Sequence, residues 1–406
     1  MFNRKLLSEI GLFIFLITAC TSEYNSIIFQ KELDVKLVDS SATKETVLLF
    51  RNLKKLSESK IIFGHHDATS YGVGWNDGPD RSDVKDVVNS YPGLYGWDFG
   101  FFAWNRNLSA AIVKKKFEVT SVFERGGINT FCWHYSNPVT DNSFYDTTIA
   151  VYKILPGGGF YLKYLRALDQ IADFADQLVD STGKKIPIIF RPFHEFDGNW
   201  FWWGKPFCTP EEFKHLWQTT VTHLRDKKGI KNFLYAFSPD RKFSTEEEFL
   251  ERYPGDDYVD IIGMDNYWDF TPDGDGLEWV TKKLQIVTKV AKRKNKIAAM
   301  TETGLEGIPD ERWWTDRLLK SFDNDSVKIA FVMVWRNADS SHHYAPYKGH
   351  LSATNFVEFV FSSKILLEKH IPDLYNEVLS DEQIKMIDEL KQMNIIKSLG
   401  SNPLSF

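Results

Sequence analysis

Cysteine is scarce: the chain has three in 406 residues, Cys20, Cys132 and Cys208. With Cys20 set aside at the N-terminal signal, one disulfide is the most the other two could form, so a small disulfide-stapled scaffold is excluded. A dominant charge is lacking too. Forty-nine basic and 55 acidic side chains leave a net charge of −6, and basic runs are no longer than pieces such as Lys114, Lys115 and Lys116, so nucleic acid is not an expected partner. No HExxH or CxxC spacing occurs. His65-His66-Asp67 and His342-His343 offer donors, but neighbouring histidines on a strand point to opposite faces, so neither a metal nor another cofactor is expected. There is no G-x-S-x-G elbow for a serine nucleophile. Solenoid-period repeats and low-complexity segments are also missing.

What the chain has in quantity is aromatic: 15% of residues, 13 of them tryptophan. Any single tryptophan belongs by default to the core. On a soluble enzyme such an excess also points to carbohydrate, whose flat C–H faces pack on aromatic rings. Export is indicated by MFNRKLLSEIGLFIFLITAC, with Arg4 and Lys5 ahead of an apolar stretch from Ile10 to Ile17, too short to span a membrane. The pattern Ile17-Thr18-Ala19-Cys20 resembles a bacterial lipoprotein signal, in which Cys20 becomes the lipid-bearing first residue; an ordinary cleaved signal is the alternative. Residues 1–19 are therefore read as signal, 20–45 as a polar linker, 46–375 as one catalytic domain and 376–406 as a helical tail opening on Ser380. The expected location is a bacterial membrane, by lipid anchor, on its periplasmic side or at the cell surface. The single glutamate in the TSEY that follows Cys20 favours the periplasmic side.

Eight short apolar runs recur between 61 and 335: Ile61–Phe63, Leu94–Trp97, Ile128–Trp133, Ile186–Phe190, Phe233–Phe237, Val259–Met264, Ile297–Met300 and Ile329–Trp335. Between them lie amphipathic stretches of helical period, such as FYLKYLRALDQIADFADQLVD. Eight strands buried on both faces, each followed by a helix, define a (β/α)8 TIM barrel, a single α/β domain. A doubly wound sheet is the competing architecture. It would usually carry a glycine-rich phosphate turn after its first strand, and GHHDATSYG is not one.

In such a barrel the chemistry collects at the C-terminal strand ends. Those ends read His65-His66-Asp67, Asp98, Cys132-Trp133-His134, Arg191-Pro192-Phe193-His194-Glu195, Asp265-Asn266-Tyr267, Thr301-Glu302-Thr303-Gly304 and Trp335-Arg336-Asn337. Glu195 and Glu302 stand out, because each follows an apolar strand where a carboxylate has no packing reason to be. Two acids across one mouth are what glycosidic hydrolysis needs: one protonates the leaving oxygen, and the other attacks the anomeric carbon or activates water. The two must differ in protonation, and His194, Arg191 and Tyr267 are the neighbours able to set that difference. Arg191 is equally readable as half of a structural ion pair.

The segments CWHYSNPVTD (132–141), ILPGG (154–158), RPFHEFDGNWFWWG (191–204), GMDNYWD (263–269), TETG (301–304) and VWRNA (334–338) resemble glycoside hydrolase family 26, best known for β-mannanases. The resemblance runs from about 60 to 350. It implies a retaining barrel enzyme with Glu195 as acid/base and Glu302 as nucleophile. It further implies that His134, His194, Tyr267, Trp335 and Arg336 line the cleavage point, Trp335 stacking on the sugar and Tyr267 bonding the nucleophile. Tyr145 stands where relatives often carry a sugar-stacking tryptophan, and GGGFYLKY at 157–164 departs from the family pattern. In the loop after Glu195, at least one of Trp200 and Trp203 should face sugar or hold Glu195, while Phe201 and Trp202 pack the loop. The implied substrate is β-1,4-mannan, galactomannan, glucomannan or mannooligosaccharide, acted on by a monomer. A mixed-linkage β-glucan, a β-1,3-xylan, or a non-catalytic glycan-binding role are the other readings.

Overall fold

A computed structural model describes residues 25–400 as backbone and side chains to 393; the leader and Cys20 lie outside the described residues. Eight parallel strands close on themselves: β1 (Ile61–His66), β2 (Leu94–Asp98), β3 (Ile128–Cys132), β4 (Ile188–Arg191), β5 (Phe233–Phe237), β6 (Ile261–Asn266), β7 (Ile297–Thr303) and β8 (Phe331–Val334), with β8 pairing back onto β1. All eight expected runs are strands, and helices intervene, giving the (β/α)8 barrel. A short ninth strand, β9 (Ile365–Leu366), pairs with β1 beside the barrel proper. Cys132 and Cys208 are buried free thiols, so the one conceivable disulfide is not formed.

One apolar layer lies between barrel and helices, and a second fills the lumen and its N-terminal end. The segment 25–45, read from its polar composition as a linker, contributes to the second. Residues 25–32 are helical, and Val35, Leu37, Val38 and Ala42 are buried. The Val38 N–H donates to Asp260 Oδ1 (2.7 Å) and the Thr43 N–H to the Lys231 carbonyl (2.9 Å), both just ahead of strands. Its apolar residues are scattered among polar ones without a sustained helical or strand period, which is why composition read this stretch as a linker.

The tail helix runs Asp381–Gly400 and opens on Ser380, whose Oγ accepts from the Gln383 N–H (3.2 Å) while Gln383 Oε1 accepts from the Ser380 N–H (2.8 Å). Leu379 and Ile387 pack into the barrel's N-terminal end. Buried Asn52, on the helix Lys44–Leu56, clasps this segment by donating to the Leu374 and Glu377 carbonyls (3.1 and 2.7 Å) and accepting from the Leu379 N–H (2.9 Å). Asn52→Leu strands those groups in an apolar setting. It is expected to lower stability by about 2–3 kcal/mol in urea unfolding, with the distant site unchanged in activity.

Candidate active site

Register places the polar strand ends side by side. Asp98 pairs with Cys132 and Cys132 with Arg191, while a bulge between Met264 and Asp265 brings Asp265 opposite Glu302. The Arg191 guanidinium, 1% exposed, spans the lumen floor. Its Nη1 donates to Asp265 Oδ2 and to Ser238 Oγ (3.2 Å), and its Nη2 to Glu302 Oε2. Arg191 is thus both a structural ion pair and a support beneath a site acid. The other Glu302 oxygen, Oε1, accepts from the Tyr267 hydroxyl at 2.7 Å. Burial, and then the adjacent Glu302 charge, hold that phenol well above its ordinary pKa, so it stays a donor.

β4 ends abruptly after Arg191. Phe193 (φ 49°) and Glu195 (φ 53°) both sit in the left-handed region, costing on the order of 1 kcal/mol each. The turn is pinned where the Glu195 N–H donates to the Ser238 carbonyl at 3.0 Å. The three tryptophans that follow then each spend an indole N–H on one partner. Trp200 donates to Glu195 Oε2 (2.7 Å), Trp202 to the Tyr135 carbonyl (2.8 Å) and Trp203 to the His194 carbonyl (2.8 Å). Trp200 is half-buried, but Trp203 is 0% exposed. Trp203, expected among the substrate-binding residues, is therefore corrected to a support behind His194: no face of its ring is open to a sugar.

Glu195 and Glu302 have opposite surroundings. Burial, and then Asp240, Asp265 and Glu302 in that order, push the Glu195 carboxyl well above the ordinary carboxylate range, against the weaker pull of the Trp200 bond. Asp240 is itself pushed up to about 7 by burial and by Asp197. Glu302 has a guanidinium in contact, and no cation hydrogen-bonds Glu195 among the described residues. One acid is built to keep its proton and the other is set against a positive charge, which is the asymmetry a two-carboxylate reaction requires.

The remaining expected residues ring this pair. His134 donates from Nδ1 to Asp98 Oδ2 (2.6 Å), and its N–H to Asp98 Oδ1 (3.0 Å), which fixes the tautomer and leaves Nε2 unengaged by Asp98. Burial alone would raise Asp98, but the His134 charge and hydrogen bonds outweigh it and lower the pKa. His194 meets His134 edge to face at 4.7 Å. Burial, then Arg191, His134 and His66, keep it neutral, well below the usual histidine pKa. Trp335 lies over His66 with centroids 4.1 Å apart, 5.8 Å from His134. Arg336 donates to the Tyr71 hydroxyl (3.3 Å), which in turn donates to Asp67 Oδ2 (2.6 Å). Tyr145 is 59% exposed and stacks on Phe201 at 5.5 Å.

Sequence reasoning did not single out Asp98, Asp240, Tyr344 or Trp104 as site residues. Tyr344 packs edge-on against Tyr267 at 5.6 Å, and Trp104 lies 6.2 Å from His134. Asp98 carried a signal, a polar residue ending a strand; the others sit inside loops where no period reports direction. Asp98, Cys132 and His134 put three potential metal donors within 4.8 Å of one another, the one such grouping found among the described residues. Both Asp98 oxygens are already engaged there by hydrogen bonds, from His134 and from the Gly100 N–H (2.7 Å).

Comparison with known proteins agrees with this geometry. A structure of GH26C from Muricauda sp. MAR_2010_75 is 39% identical, with a TM-score of 0.81 and coverage of 89% of this chain and 99% of that one. A GH26 β-mannanase from Bacteroides ovatus is 42% identical, with a TM-score of 0.78 and coverage of 82% and 98%. A mannan endo-1,4-β-mannosidase from Bifidobacterium adolescentis is 32% identical over 360 residues, 82% of this chain and 35% of its own length. The match to a further such enzyme from Bacillus subtilis is 27% identical and covers 56% of this chain and 64% of that one, so the matched stretches span 35% and 64% of these curated relatives' own lengths. The model of glycosyl hydrolase family 26 matches residues 38–353, well over half of the sequence, and the chain belongs to that family.

Proposed function

We propose that the protein hydrolyses β-1,4-mannosidic linkages in mannan, galactomannan or glucomannan with retention of anomeric configuration, Glu195 acting as acid/base and Glu302 as nucleophile. The observation that carries this reading is the asymmetry of the two acids, one desolvated and, among the described residues, bonded by Trp200 alone, the other bridged by Arg191 and Tyr267. In the first step Glu302 attacks the anomeric carbon while Glu195 gives its proton to the departing oxygen. In the second, Glu195 takes a proton from water, which displaces Glu302 from the glycosyl-enzyme. The Tyr267 hydroxyl holds the attacking carboxylate in line. His134, locked by Asp98, and Arg336, locked by Tyr71, present polar groups to the sugar, and Trp335 is the platform beneath it. The likeness to enzymes named as mannanases supports the choice of mannan over glucan or xylan.

We further read the protein as a monomer held to a bacterial membrane through lipid on Cys20. The chain's N-terminal segment packs at the barrel end opposite the strand termini that bear Glu195 and Glu302, so such an anchor turns the cleft away from the lipid surface. The substrate assignment is tested by comparing galactomannan, lichenan and β-1,3-xylan in a reducing-sugar assay. Mannan should be preferred by about 100-fold or more in kcat/KM, because a site bonded to an axial 2-hydroxyl leaves buried polar groups unpaired around an equatorial one. Equal or better turnover of lichenan would move the assignment to β-glucan.

A further inference from the structure

Trp104 has no structural reason to be where it is. It closes the single helical turn Phe101–Trp104 after β2, and the aromatic residues around it are driven inward. Phe99 is 0% exposed, Phe101 is 7% exposed, and both pack against Phe174, whereas Trp104 leaves 49% of its surface in water. An indole left half in solvent forgoes much of the burial that normally stabilises tryptophan. No acceptor meets its N–H among the described residues. Yet the ring is not loose. A Cβ on Gly100 would come within 2.4 Å of the six-membered ring, so the indole is seated directly on the Gly100 backbone. Gly100 has an ordinary helical φ of −56°, so it is the missing side chain, not backbone freedom, that makes the seat. Gly198 and Trp200 repeat the device, with a Cβ on Gly198 meeting that indole at 2.5 Å. The other neighbours of Trp104 are site groups: His134 at 6.2 Å and Phe144 at 5.7 Å, the latter leading on to exposed Tyr145 at 4.4 Å.

We propose that Trp104, seated on Gly100, is a sugar-binding platform that holds a pyranose ring of the substrate chain away from the point of cleavage. Trp104 and Tyr145, from the loops after β2 and β3, form one aromatic rim beside His134. A β-linked sugar laid along that rim offers its C–H face to the open side of the indole. The contact is to a sugar remote from the reacting carbon, so it contributes binding and leaves the chemical step alone, and only chains long enough to reach it benefit.

The proposal rests on the mannanase reading, and wild-type enzyme assayed on the same ladder tests that reading separately. Kinetics are measured on mannooligosaccharides from triose to hexaose and on galactomannan. Trp104→Ala should lower kcat/KM on the longest chains by about tenfold, through KM, with kcat within about twofold, and leave the shortest cleaved oligosaccharide within about twofold of wild type. Trp104→Phe should recover most of the loss. Gly100→Ala, which keeps the indole but unseats it, should reproduce the length-dependent pattern. A loss equal at every chain length, a loss carried by kcat, or no loss on any substrate would overturn the assignment. If wild type cleaves no member of the ladder, the substrate reading fails instead.

Discussion

Glu302→Ala is expected to lose mannan hydrolysis by on the order of 10⁴-fold or more in kcat, because removing a nucleophile eliminates the two-step route entirely. Oligosaccharide binding should survive, since the ring platforms and His134 are untouched. The substitution also takes from the buried Arg191 one of the two carboxylates that pair with it among the described residues, leaving Asp265, so a modest loss of stability should accompany it. Circular dichroism and ligand binding separate that effect from chemistry. Azide supplies a sharper readout. In the space vacated by the carboxylate it can attack an activated mannoside from the same face, giving a glycosyl azide of inverted configuration and restoring turnover. Normal hydrolysis by Glu302→Ala would sink the assignment.

Glu195→Ala should cost about 10²–10⁴-fold on mannan, the range for loss of a general acid, but little in the first step on a dinitrophenyl mannoside, whose leaving group needs no proton. The sign of the pH effect follows from the raised Glu195 pKa. The protonated form is the donor and persists below that pKa, so wild-type kcat/KM should fall as pH rises through a value well above the ordinary carboxylate range. In Glu195→Ala with the activated substrate that alkaline limb should disappear. A limb that persists unchanged would assign the titration to another group, with Asp240, pushed up to about 7, the first to test.

Much of this site was legible in the sequence because two periods coincide with it. Strand runs announce themselves as short apolar blocks, and in a closed parallel barrel each block delivers the residue after it to the same mouth. His134 and Glu302 follow closely on such blocks, Trp335 closes its own, and Tyr267 and Glu195 come in the few residues after theirs, so their convergence needed little more than strand ends to be placed. Residues deeper in loops were not legible in the same way. Trp200, Trp202 and Trp203 stand almost side by side, and which points to a carboxylate, which to a neighbouring loop and which into the core depends on the left-handed turns at Phe193 and Glu195. No pattern of residue types encodes those. Trp104 was hidden for the same reason, since its seat is the absence of an atom on Gly100. The stretch 25–45 was misjudged because burial there is set by what the barrel's lower end leaves uncovered, a tertiary fact, and not by any local period.

The division of labour between the acids also explains the aromatic excess. Of the three tryptophans after Glu195, one bonds the carboxylate itself, one holds the His194 backbone beside it and one ties the loop to Tyr135 of the neighbouring loop. Rigid placement of this kind matters because a misplacement of about 1 Å costs on the order of 100-fold in rate. Part of the aromatic content thus braces the loop that carries Glu195.

The central claim, that Glu302 forms a covalent bond to the sugar, is tested most directly by trapping. A 2-deoxy-2-fluoro mannosyl fluoride slows both steps but the second more, so the glycosyl-enzyme accumulates. Intact mass spectrometry followed by peptide mapping should show one sugar per chain, attached to the peptide containing Thr301-Glu302-Thr303. An adduct on Glu195, or steady turnover of the reagent with inverted product and no adduct, would contradict the account.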